Sequence, residues 1–239
     1  MYGKDPAPLV RSVGRYLADG LAAGEGAVVI ATESHRNAFL EELQALGADP
    51  AAAQRDGRLV VLDAHATMER FIVDGQPDGN LFEATVRPVL SAPRARCPAG
   101  LRAYGEMVGV LWEAGRFAAA IRLEEFWNAL LREGGFRLFC AYPIDVCGDG
   151  FTPADVDAVM STHTHVVPTG SELEPALERA MQDVLGASAS ALRRLMDAHC
   201  RPSWAALPPA EATILWLREN VPSLTGAILT RTREYAQLA

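Results

Sequence analysis

Apolar residues recur at helical spacing over Pro8–Ala23, where Leu9, Val13, Tyr16, Leu17 and Leu21 share one face of a 3.6-residue period. Gly24 and Gly26 end that helix. The period then changes. Ala27–Thr32 and Arg58–Asp63 are short, nearly unbroken apolar runs, as expected of strands covered on both faces in a parallel sheet. Between them the pattern predicts a helix capped by Ser34, with Phe39, Leu43 and Leu46 inward, ending at Gly47–Pro50. Helix, strand, helix, strand is the rhythm of βαβ units with right-handed crossovers.

The middle of the chain continues this rhythm. Thr67–Phe71 reads as a short helix, Asp74–Gly79 as a turn cluster, and Phe82–Leu90 as a helix kinked or ended by Pro88. Ser91–Gly100 reads as a loop and Leu101–Tyr104 as a third strand. Helices Glu106–Glu113 and Arg116–Glu133 follow, separated by Gly115, and then a fourth strand, Phe136–Tyr142, stopped by Pro143. Beyond a loop lie a helix over Pro153–Thr162, capped by Thr152, and a short edge strand at Val166–Pro168. From Ser171 the strand pattern ceases, and helices are predicted over Glu172–Leu185, Ala187–His199 and Pro209–Gln237, the last breaking at Pro222. We therefore divide the sequence into an α/β domain, residues 1–170, and a helical extension, residues 171–239. The extension's apolar stripes need covering by the core or by another subunit.

Composition narrows the classes. At 239 residues and 49% hydrophobic, the chain can bury a full core. A net charge of −8 opposes a nucleic-acid surface, which needs clustered Lys and Arg. No apolar run reaches the roughly 18–20 residues of a membrane span, and Met1–Pro6 has no apolar signal core. These features predict a cytoplasmic protein without direct nucleic-acid or membrane partners. Cys97, Cys140, Cys147 and Cys200 lack Cys-x-x-Cys spacing and read as free thiols.

A phosphate-cradling Gly-x-x-x-x-Gly-Lys-[Ser/Thr] string is absent, as are Gly-x-Ser-x-Gly, His-Glu-x-x-His and Gly-x-Gly-x-x-Gly. Gly3-Lys4-Asp5 puts an anion where phosphate would sit. Asp145–Gly150 fails as a calcium loop, because its twelfth position is Val156 rather than a bidentate Glu. Polar residues on buried-looking elements hold more interest. Glu106 follows a strand, so it is either a dipole-complementing helix start or a ligand anchor at the carboxyl edge of the sheet. Glu124 shares a helix face with Phe117, Ala120, Ile121, Trp127 and Leu131, and needs a partner such as Arg102 or Tyr104, or a ligand. Cys140 and Tyr142 end what reads as a central strand, either packed or facing a cleft. His163 and His165 face one side if extended; surface or hydrogen-bonded roles are set against a metal site with Cys140 and Cys147, whose spacing matches no standard zinc motif. His35 and His65 read as surface residues or caps.

Two blocks carry a family resemblance: Gly20–Thr32 with Gly57–Asp63, and Arg102–Val108 with Cys140–Pro143 and Thr162–Pro168 behind. Together they resemble the MEDS sensory domain (methanogen/methylotroph, DcmR-type), similar to KaiC-like ATPases that have lost the ATPase machinery. The resemblance implies a RecA/KaiC-like three-layer α/β sandwich with a mostly parallel sheet, and a sensor of small organic molecules coupled to transcription or phosphorelay control. Relatives open with a His-x-x-Gln-Phe-Tyr-Glu-like segment, whereas this chain has Met1–Asp5 and lacks the His. The C-terminal helices match neither a kinase nor a DNA-binding module. The resulting expectation is a non-enzymatic, cofactor-free and metal-free sensor. Tyr104, Glu106, Glu124, Cys140, Tyr142 and His163 would line its ligand pocket, a regulatory protein would be its partner, and the C-terminal helices would form a homodimer or partner interface. The alternative is a KaiC-like nucleotide-binding protein or ATPase with a degenerate P-loop.

Overall fold

The computed structural model describes residues 6–148, 151–161, 163, 173–199 and 207–236. The chain packs into two units that divide between Pro143 and Ile144. The boundary drawn from sequence near residue 170 falls outside the described residues, as do the strand proposed at Val166–Pro168, His165, Cys200 and the Gly3–Asp5 segment.

The first unit alternates helices and strands. Its elements are α1 (Ala7–Ala22), β1 (Gly26–Ala31), α2 (Glu33–Ala45), α3 (Pro50–Arg55), β2 (Leu59–Asp63) and α4 (Ala64–Met68). A small hairpin of β3 (Ile72–Val73) and β4 (Gln76–Pro77) follows, then α5 (Gly79–Arg96), β5 (Leu101–Gly105), α6 (Met107–Glu113), α7 (Phe117–Glu133) and β6 (Arg137–Cys140). Four strands form one sheet in the order β2-β1-β5-β6, every pair parallel. All six residues of β1 are buried, as a strand sandwiched between helical layers must be. Among the described residues β6 lies at the sheet's edge rather than at its centre, with Cys140 its last residue and Tyr142 just beyond it.

Alternation of side chains assigns the two faces. Ala27, Val29 and Ala31 of β1, with Tyr104 and Ala141, pack into a core built by Leu9, Val13 and Leu17 of α1 and Phe39 and Leu43 of α2. Leu101, Ala103 and Gly105 of β5 point the other way, where α5 and α7 lie; a side chain on Gly105 would touch Trp127 at 3.5 Å.

The helix α5 departs from expectation. It runs unbroken through Pro88 and Pro93, over residues read from sequence as a loop. Each proline removes one backbone donor. Phe82, Val86, Leu90 and Pro93 nevertheless form one buried stripe, and Asp78 caps the start by accepting the Leu81 N–H at 2.9 Å. Packing over five turns outweighs two missing hydrogen bonds. The α3 helix, capped by Asp49, and the β3–β4 hairpin are too short for periodicity to signal.

The second unit contains α8 (Pro153–Ser161), α9 (Leu173–Leu185), α10 (Ala189–His199), α11 (Pro209–Asn220) and α12 (Pro222–Ala236). The break at Pro222 is where the sequence places it. The helices α9, α11 and α12 pack together, burying Leu177, Met181, Ile214, Leu217, Ile228 and Leu229. Arg218 donates to the carbonyl of Val146 at 3.2 Å and to that of Gly148, and Arg233 donates to that of Cys147, tying the loop after the unit boundary to α11 and α12. The fold is thus mixed α/β, with a parallel four-stranded sheet and a C-terminal helical part. Among the described residues no helix is long and apolar enough to cross a membrane.

Candidate functional site

In a parallel sheet every strand ends at the same rim, and in α/β folds ligands favour that carboxyl edge. Two carboxylates stand there, one on each face.

Glu124 is 2% exposed, on the inward stripe of α7. Its Oε1 accepts the Tyr142 hydroxyl at 2.7 Å, and its Oε2 faces the Cys140 thiol at 3.9 Å. Leu138 and Cys140 share a face of β6, and that face meets α7. Burial, followed by the charge of Glu124, pushes both the Cys140 thiol and the Tyr142 phenol well above their ordinary values. Both groups therefore stay protonated near neutrality and act as donors to the carboxylate. Tyr142 is also fixed by edge-to-face packing on Trp112, with centroids 5.5 Å apart. The sequence offers Arg102 or Tyr104 as the partner of Glu124; the hydrogen bond comes from Tyr142. Arg102 lies on the opposite face, where its Nε donates to Glu25 and its Nη1 donates to the Tyr16 carbonyl at 2.6 Å.

Glu106 caps the other face. Its own N–H extends the β1–β5 ladder by donating to the Ile30 carbonyl at 2.9 Å. Its carboxylate accepts the Thr32 N–H at 2.8 Å and the Thr32 hydroxyl at 3.2 Å, and bonds Nδ1 of His35. Thr32 is the N-cap residue of α2 but makes no side-chain cap bond to that helix. Glu106 thus brings a negative charge to a helix start, where the peptide dipole favours it. His35 stacks on Phe39 at 5.7 Å, and Phe39 meets Tyr104 edge-on at 4.8 Å.

The structure therefore brings together Glu124, Cys140 and Tyr142. It sets Tyr104 on the opposite face, in the core between the sheet and α1–α2, with Glu106 beside the start of α2. His163 belongs to the second unit, where its Nδ1 donates to the Val159 carbonyl at 2.8 Å. Sequence reasoning missed His35 and Thr32 as partners of Glu106. The signal was a polar Thr-x-x-His stretch directly after a buried strand. It also missed a charged cluster at the amino edge, where Glu25 accepts from both Arg102 and Arg137. Burial alone would raise the pKa of Glu25, but these two guanidinium bonds outweigh it and hold the carboxyl below its ordinary value.

Neither a curated protein nor a solved structure matches the chain. A family model does, over residues 1–164, which takes in the whole of the first unit's sheet and both edge carboxylates. The chain belongs to the family of the methanogen/methylotroph DcmR sensory domain, MEDS.

Proposed function

We propose that this chain is a non-enzymatic signalling protein that reads a small organic ligand at the carboxyl edge of its sheet and relays the change to a regulatory partner. The carrying observation is Glu124, a buried carboxylate held by a phenol and a thiol on the segment leading to the unit boundary. A ligand with a hydroxyl or amine can take the place of Tyr142 on Glu124, so binding and release of the Tyr142 ring become one event. The family's sensory character supports the reading. So does the chemistry of the cluster, since a thiol whose pKa burial and a neighbouring carboxylate both raise is a poor nucleophile.

The test is differential scanning fluorimetry of the full chain against small alcohols and amines, with Mg-ATP as a separate arm. Hydrogen-bond donors should raise the Tm of the wild type, and Glu124→Gln should reduce that shift. Equal shifts in Glu124→Gln and Tyr142→Phe would remove the site from the reading, and turnover of ATP would overturn its non-enzymatic part. The homodimer expected of the C-terminal helices is checked by sizing chromatography with light scattering.

A further inference from the structure

The opposite end of the first unit holds a groove of about 80 Å³, open on one side, between α5, the end of α7 and the start of β5. Its floor is apolar: Leu90, Leu101 and Leu130, all buried, with Phe136 beside them. Its rim carries Arg87 and Arg94 together with Glu133. Arg87, Ser91 and Arg94 recur at i, i+4 and i+7 on α5 and so line one side.

The two arginines differ. Arg87 is fully engaged, forked between Glu133 at 2.7 and 2.9 Å and Glu83 at 2.6 and 2.9 Å. Arg94 has no carboxylate partner among the described residues. Its one hydrogen bond there is a long one, 3.3 Å, to the neutral carbonyl of Gly134. Its guanidinium lies over Gly135, in space that any side chain at that position would claim. Gly135 has φ 89°, a conformation that itself favours glycine. A guanidinium carries a planar fork of donors that matches a carboxylate with two parallel bonds. An uncompensated fork at the mouth of an apolar trough fits a molecule with an anionic head and a hydrocarbon body.

We infer that this groove binds a small amphipathic monocarboxylate, its head on Arg94 and its alkyl or aryl body on Leu90, Leu101, Leu130 and Phe136. The site is separate from the Glu106 and Glu124 rim and does not depend on the reading given above for that rim.

The experiment is isothermal titration of the full chain with hexanoate and benzoate, and with 1-hexanol as the uncharged counterpart. One site per chain is expected for the carboxylates, with Arg94→Gln weakening them about tenfold or more, as loss of a charge-assisted bond requires. Hexanol, titrated into Glu124→Gln so that the rim carboxylate cannot hold its hydroxyl, should bind weakly and respond little to added Arg94→Gln. Ser91→Phe, which fills the trough while keeping Arg94, should also abolish hexanoate binding, and Glu124→Gln should leave it unchanged. Arg94→Gln binding hexanoate as tightly as wild type would overturn the inference, as would hexanol binding Glu124→Gln as well as hexanoate does. Loss of hexanoate binding in Glu124→Gln with retention in Arg94→Gln would place the carboxylate at the other rim and also overturn it.

Discussion

Gly109 gives the sharpest stability test, because it joins the fold to the Glu124 cluster. It lies inside α6 and is fully enclosed. A methyl group at that position would sit 2.6 Å from the Ala141 carbonyl oxygen and 3.2 Å from Cδ of Pro143. The first of these is backbone, so α6 or the 141–143 segment must move by several tenths of an ångström. Such overpacking costs about 1–3 kcal/mol, while replacing glycine inside a helix returns about 0.5–1 kcal/mol. Gly109→Ala should therefore destabilise the protein by about 1 kcal/mol net. Gly226, inside α12 with nothing within 4 Å of an added methyl, lacks the opposing cost. Gly226→Ala should stabilise by about 0.5–1 kcal/mol. Urea unfolding followed by circular dichroism reads both, and Gly109→Ala matching or exceeding the wild type would refute the reasoning. Because Tyr142 lies between the two residues that would be pushed, Gly109→Ala and Tyr142→Phe should be non-additive by at least about 0.5 kcal/mol. Strict additivity would mean that the strain never reaches the phenol.

Further outcomes follow from the same contacts. Tyr142→Phe removes a hydrogen bond to a buried carboxylate and should cost about 1.5–3 kcal/mol in urea unfolding; a loss below about 0.5 kcal/mol would show that Glu124 holds its place without the phenol. Glu25 has a folded pKa below its unfolded value, so its contribution is complete above about pH 4–5 and is lost as pH falls through the lowered value. The drop in Tm between pH 5 and pH 3 should accordingly be shallower in Glu25→Gln, and parallel curves would refute the pairing. Burial, then Glu124, raises the Cys140 pKa; residue-resolved mass spectrometry should find it alkylated by iodoacetamide far more slowly at pH 8 in the native protein than in urea.

The sheet was legible because parallel strands read as apolar runs: Ala27–Ala31 is buried throughout, whereas Leu59–Leu62, expected to be covered on both faces, is only part-buried beyond Leu59 because β2 ends the sheet's strand order. The extent of α5 was not, because a proline is a local signal against a helix, whereas Leu90 and Pro93 packing under the sheet is a tertiary one. Glu106 and Glu124 stood out as charges on buried elements, and both are buried. Their partners lay beyond reading. The residues that meet at Glu106 are 71 and 74 positions apart, and those at Glu25 are 77 and 112 apart. Alternation within β5 put Arg102 and Tyr104 on one face, but nothing local told which helix covers it. That is why Arg102 stands in the sequence as one of two candidate partners of Glu124, with Tyr104, when it pairs with Glu25.

The proline at 143 has one more implication. A residue preceding proline is confined to extended backbone, so Tyr142 is anchored along its main chain just before the units divide. Its aromatic ring must therefore leave Glu124 by pivoting about its own side-chain bonds, not by the chain swinging as an arm. A release of that kind is a click between rotamers rather than a hinge, and such clicks in a packed interior are two-valued.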